Sequence, residues 1–279
     1  MMRVDSHHHF WKIARGDYAW LTQKDFPALY RDFLATDLEP HLKACGIDKT
    51  ILVQGAETIA ETQFLLDIAH ATPFVAGVVG WADFAARDAP DQIARLAQDK
   101  KLKSLRPMLQ GLPQDDWILR PELADGLKAL TQNGLRFDVL IFPRHLPVAA
   151  KFFARYPDLP CVIDHGAKPN IAHGEIEPWK SQMRAIARDF SVFCKLSGLA
   201  TEAAPGWTAA TLKPYVEALI EIFGPGRLMW GSDWPVLNVA GDYPGWHAIA
   251  QELTAQLPLS DRDEIFGGTA ARFYGIAED

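Results

Sequence analysis

Short runs rich in Val, Ile, Leu and Phe, each closed by glycine, proline or a polar turn, recur along this chain. They alternate with stretches in which apolar residues return every three or four positions. Eight runs predict strands: RVDSHHHF (3–10), KTILVQG (49–55), FVAGVVGW (74–81), LKSLRPM (102–108), RFDVLIF (136–142), CVIDHGA (161–167), VFCKLSG (192–198) and RLMWGSDW (227–234). Several are apolar almost throughout, which suits strands buried on both faces of a parallel sheet. Helices are predicted over 38–46, behind Thr36-Asp37, and over 57–70, 90–98, 121–132, 147–156, 179–189 and 211–223, several opening near proline and ending near glycine or a polar turn. This alternation predicts the α/β class and a (β/α)8 TIM barrel, one domain over 1–279, with its reactive groups at the C-terminal ends of the strands. An open doubly wound sheet is the competing architecture, but no Gly-x-Gly-x-x-Gly follows the first strand. Segment 14–33 breaks the rhythm as a long first mouth loop carrying Tyr18, Trp20, Phe26 and Tyr30, and loops of that length usually serve function.

Composition narrows the function classes. With 48% hydrophobic and 23% charged residues the chain reads as a globular protein, and no apolar run approaches the roughly 20 residues that span a bilayer. A net charge of −7 without a Lys/Arg stripe argues against nucleic acid. No charged-then-apolar leader precedes the first strand, so a cytoplasmic protein is expected, without a membrane partner. Cys45, Cys161 and Cys194 form no C-x-x-C pair, and the last two sit in apolar runs, so they are expected to pack as small hydrophobes.

The first strand carries the strongest chemical signal. In VDSHHHFW alternate side chains of a strand share a face, so His7 and His9 point together and His8 points away. A purification tag would be longer and flanked by polar linker. Two buried imidazoles on one face need partners to offset their desolvation. Strand six supplies His165 and strand eight Asp233, both where the chain should emerge into the barrel mouth. Such a set can hold one divalent ion, or, without metal, let Asp233 act as general base while the histidines hydrogen-bond a carbonyl. Either route ends in hydrolysis. His8, Asp5 and Asp164 are expected to be structural.

Taken together, VDSHHHFW, GDYAWL, VGWADF, DHGAKPNI, KLSGL, WGSDWPV and IFGGTAARFYGI resemble the amidohydrolase superfamily over nearly the whole chain. The resemblance is to its lactonase branch, which spans L-fucono- and L-rhamnono-lactone hydrolases and the sulfomuconolactone and pyrone dicarboxylate lactonases. It implies a distorted barrel and hydrolysis of a sugar-acid lactone of the L-fucono or L-rhamnono type, with the strand-eight Asp233 as general base. It also implies that catalysis does not require a tightly bound metal in every member. The fifth strand here has Asp138 but no histidine, and the fourth has no bridging ligand, which speaks against two metals. At most one divalent cation, zinc if any, is expected on His7, His9, Asp233 and His165.

Substrate contacts are expected from Arg106, Lys168, Gln54, Trp20 and Trp81, each weighed against an ion pair, a loop fastener or plain packing; Lys195 can project either way. Trp11, Trp207, Trp230 and Trp234 also fall near predicted strand ends, while Trp117, Trp179 and Trp246 read as packing. A dicarboxylate needs several arginine forks. Few cations at the strand ends tilt the expected small-molecule partner toward a polyhydroxylated lactone. The alternatives are a dicarboxylate lactone, a metal-dependent decarboxylation, and a silent barrel that only binds a sugar acid.

Overall fold

The computed structural model describes residues 1–277; residues 278 and 279, which complete the expected 1–279 domain, lie outside the described residues. Eight parallel strands are hydrogen-bonded in sequence order: β1 (Val4–His8), β2 (Lys49–Val53), β3 (Val75–Gly80), β4 (Leu102–Leu105), β5 (Arg136–Val139), β6 (Cys161–Ile163), β7 (Phe193–Leu196) and β8 (Leu228–Trp230). The helices are α1 (Ala35–Cys45), α2 (Ile59–Ala71), α3 (Ala89–Leu96), α4 (Ala124–Gln132), α5 (Leu146–Arg155), α6 (Trp179–Asp189), α7 (Ala209–Phe223), α8 (Tyr243–Leu253), α9 (Leu259–Asp263) and α10 (Thr269–Tyr274). This is the expected (β/α)8 barrel in a single domain.

The strands are shorter than the runs that predicted them. Apolar sequence continues past the last ladder bond, and the mouth ends of β6 and β8 leave extended geometry early. Closure of the barrel is therefore made at the end of β8 and in the turn beyond it. The His9 amide donates to the Trp234 carbonyl at 2.7 Å, the Asp233 amide donates to the His7 carbonyl at 2.7 Å, and the Ser6 hydroxyl donates to the Trp230 carbonyl at 2.7 Å. Asp5, fully buried, reinforces this seam by accepting from the amides of His7 and Ser232 and from the Tyr243 hydroxyl. Burial raises its carboxyl to about 6, against the pull of those donors. The bonds that close the barrel thus set His7 and His9 beside Asp233.

Two buried clusters fill the remaining volume. The larger lies between the strands and the helical ring, and the smaller joins Val4, Ile51, Val53, Val79, Val162 and Met229 to the ring of Tyr274 from α10. The first loop leaves the barrel at Trp11 and returns at Phe33, whose backbones exchange two hydrogen bonds of 3.0 Å. It is fastened midway by Trp20, whose indole N–H donates to the Gly55 carbonyl at 2.7 Å.

Candidate active site

His7, His9, His165 and Asp233 meet at one point. His7 Nε2 lies 3.2 Å from His9 Nε2, and Asp233 Oδ1 lies 3.2 Å from His9 Nε2, 3.7 Å from His7 Nε2 and 3.9 Å from His165 Nε2. His8 points away, its Nε2 2.8 Å from the Thr50 hydroxyl. His165 and Asp233 do not sit on strands. Both have left-handed backbone, with φ of 54° and 58°, and the left-handed run continues through Gly166, Ala167 and Lys168. Each such non-glycine residue costs roughly 1–2 kcal/mol, a cost sustained where the surroundings fix the turn. Here the turn brings His165 back over the barrel axis, its Nδ1 2.8 Å from the Ser197 hydroxyl. Gly198, itself at φ 62°, leaves the room: a Cβ there would stand 2.6 Å from the His165 ring.

Burial and the surrounding charges set the protonation of these groups. Burial works against the Asp233 carboxylate, but His165, His9 and His7 around it hold its pKa well below the ordinary range. Burial also lowers His165 to about 4, against the attraction of Asp233, and takes His7 well below its ordinary value with help from the Lys195 charge. At neutral pH the Asp233 carboxylate therefore faces the neutral imidazoles of His7 and His165. His9 Nδ1 lies 2.8 Å from the Val53 carbonyl, which only accepts, so this nitrogen carries a hydrogen, and His9 Nε2 is turned to Asp233 Oδ1.

His9, His165, Asp233 and Arg106 line a cavity of about 680 Å³, within the range of small-molecule sites. Trp20, Phe26 and Leu29 of the first loop form one wall, and Met108, Leu140, Val236 and Val239 add apolar surface. Its charged lining comprises Asp17, Glu57, Glu202 and Asp233 against Arg106 and Lys168. Both cations are already paired, Lys168 Nζ with Glu202 Oε1 at 2.8 Å and Arg106 Nη1 with Asp164 Oδ2 at 3.0 Å.

The amidohydrolase family profile matches residues 4–276. The chain belongs to the amidohydrolase family. Two relatives are named L-fucono-1,5-lactonase. The one from Burkholderia ambifaria is 47% identical over 98% of this chain and 96% of its own, and the one from Burkholderia multivorans is 35% identical over 99% and 97%. A solved amidohydrolase from Burkholderia multivorans, with bound zinc, superposes with a TM-score of 0.93 at 35% identity, covering 99% of this chain and 100% of that one.

The donor set of this amidohydrolase fits a zinc ion. Zinc bonds of about 2.0–2.1 Å to imidazole nitrogen and carboxylate oxygen, arranged tetrahedrally, separate neighbouring ligand atoms by roughly 3.3 Å. The His7, His9 and Asp233 atoms are spaced at 3.2, 3.2 and 3.7 Å. A second set, His7, Asp164 and His165, shares His7 with the first.

Two expected substrate contacts fall elsewhere. Gln54 is fully buried: its amide donates to the Arg106 carbonyl at 2.8 Å while the Arg106 guanidinium donates to the Gln54 carbonyl, so it ties the ends of β2 and β4 together across β3. Trp81 is not among the cavity-lining residues; its backbone at the end of β3 is held to the Thr62 hydroxyl of α2. Of the other tryptophans expected near the mouth, Trp11, Trp230 and Trp234 are buried packing, and the Trp207 indole is bonded to the Ala240 carbonyl. Cys161 and Cys194 are buried with raised thiol pKa values, as expected of packing residues. Ser197, Glu202 and Lys195 escaped assignment. Ser197 had a readable signal, a hydroxyl at the mouth end of an apolar strand, whereas the burial of Lys195 between Asp138 and Asp164 depends on β7, β5 and the turn after β6 coming together.

Proposed function

We propose that this protein hydrolyses a sugar-acid lactone of the L-fucono type to the open aldonic acid. The observation that carries the reading is the convergence of Asp233 Oδ1 with three imidazole nitrogens within 3.2–3.9 Å beside a cavity walled by Trp20 and Phe26. Two full-length relatives named for this activity support it. Asp233 takes a proton from water, the resulting hydroxide adds to the lactone carbonyl carbon, and the neighbouring histidines stabilise the developing oxyanion. Collapse breaks the ring C–O bond, and the departing alkoxide receives the proton held by Asp233. Arg106 and Lys168 orient the ring hydroxyls. At most one zinc ion on His7, His9 and Asp233, with His165 close by, would add polarisation of the carbonyl and acidification of the water.

Hydrolysis of a dicarboxylate lactone is disfavoured because neither lining cation is free of a carboxylate partner. The test is acid release, followed with a pH indicator, from a panel of aldonolactones and dicarboxylate lactones, with wild type and Asp233→Asn. An L-sugar lactone should be the preferred substrate, and Asp233→Asn should lower kcat by about 10²–10⁴ with an unchanged melting curve. Near-wild-type turnover in that variant, or preference for a dicarboxylate, would overturn the assignment.

A further inference from the structure

Glu61 is a fully buried carboxylate that the hydrolytic reading does not use. It stands in the first turn of α2, its amide donating to the Thr58 hydroxyl at 3.0 Å, and its side chain turns back over the end of β2. There the Gly55 amide donates to Glu61 Oε1 at 3.0 Å and the Ala56 amide donates to Glu61 Oε2 at 2.7 Å. Two successive N–H groups aimed at one side chain need a partner that accepts at both of its polar atoms. A carboxylate does so, and the start of a helix favours its charge. Glu61 is not among the cavity-lining residues, whereas Gly55 and Ala56 are.

The same turn carries the first loop. The Trp20 indole N–H donates to the Gly55 carbonyl at 2.7 Å, so Gly55 is held by Glu61 through its amide and holds Trp20 through its carbonyl. Tyr18 packs at the same place: a Cβ on Gly55 would stand 3.5 Å from the Tyr18 ring and 3.6 Å from Glu61 Oε1. One turn further along α2, the Arg15 guanidinium lies over the Phe64 ring, 4.3 Å from its centre. Glu61 and Phe64 are three residues apart and share a helix face, which makes that face the seat of the loop. Of Arg15, Tyr18 and Trp20, only Trp20 also walls the cavity.

We propose that Glu61 is a positioning residue for the Trp20 wall: by fixing the Gly55–Ala56 turn it sets where the Gly55 carbonyl holds the indole, and so how closely Trp20 meets the lactone ring. In this role, which rests on the lactonase reading for its ligand, Glu61 touches no substrate itself. Trp20 offers ring surface and no reacting group, so misplacing it weakens ground state and transition state alike, a change in KM with little change in kcat.

The experiment has a kinetic arm and a substrate-free arm, both on the full chain. Glu61→Gln keeps the size of the side chain but turns an NH2 group toward one of the two amides, which removes that hydrogen bond. Above the pH at which Glu61 ionises, Glu61→Gln should raise KM for an L-sugar lactone about fivefold, the worth of one hydrogen bond, with kcat held within about twofold. In a Trp20→Ala background the same substitution should move KM by less than about twofold, because the residue through which it acts is gone. Hydrogen–deuterium exchange without substrate should be faster over 18–30 in Glu61→Gln, where the Leu21, Phe26 and Leu29 amides bond within the loop. An equal rise of KM in both backgrounds, a fall in kcat alone, or unchanged exchange of the loop would overturn the proposal and leave Glu61 a purely structural group. If no lactone is turned over, the lactonase reading fails, and the exchange arm still decides whether Glu61 holds the loop. If Glu61→Gln fails to fold, Glu61→Asp, which keeps both oxygens but shortens their reach by one methylene, takes its place in both arms with the same overturning results.

Discussion

Single side chains in this barrel are buried on a scale that their sequence positions conceal, and Glu61 is the clearest case. In the first turn of α2 a glutamate ordinarily faces water, but Glu61 is fully buried and accepts from the amides of Gly55 and Ala56, two cavity-lining residues. Burial raises its carboxyl from an ordinary 4.5 to about 7, the amides pulling the other way. Since the folded state binds this proton more tightly than the unfolded chain, its contribution is complete below pH 4.5 and is lost as pH rises through about 7. Between those limits wild type should lose roughly 2–3 kcal/mol that Glu61→Gln does not lose. Urea unfolding of both proteins across that range checks this; a gap that stays constant with pH refutes it. No periodicity could have marked Glu61, because its burial comes from the turn after β2 folding over the start of α2.

Elements were legible where local pattern and final environment agree. The prediction of 179–189 coincides with α6, and all eight strands were found, though too long by several residues. The excess has one cause: apolar sequence marks burial, not extended backbone, so His165 and Asp233 looked like strand residues while they occupy left-handed turns. The last helices were missed for the opposite reason. α8 opens with Tyr243-Pro244-Gly245, which reads as a loop, yet Asp242 accepts from the Gly245 amide and starts the helix. Gly267, just before α10, is required because a Cβ there would lie 1.9 Å from the Met2 carbonyl oxygen. The first loop, by contrast, was rightly singled out by length and aromatics. Trp20 both walls the cavity and fastens the loop to Gly55, flanked edge-to-face by Trp11 and Phe26. Trp20→Ala should therefore reduce kcat/KM for an L-sugar lactone by about tenfold or more while the melting curve shifts little. Unchanged kcat/KM would show that this wall does not touch substrate.

At the scale of the whole molecule, charge and reaction fit each other. The chain carries a net −7, and four acidic against two basic side chains line its cavity. A lactone is neutral and enters without electrostatic penalty, whereas the aldonate formed from it is an anion and leaves a site whose field opposes it. Ring opening thus converts a tolerated guest into a repelled one, and accumulated product should inhibit only weakly. The aldonate inhibition constant should lie well above the lactone KM and should fall as salt screens the repulsion, while KM for the neutral lactone stays level. Steady-state kinetics with added aldonate at low and high ionic strength measures both, and a product constant indifferent to salt would remove the cavity's charge from this role. The four lining carboxylates then act less in recognition than in clearing the anionic product, while the equilibrium between lactone and acid is untouched.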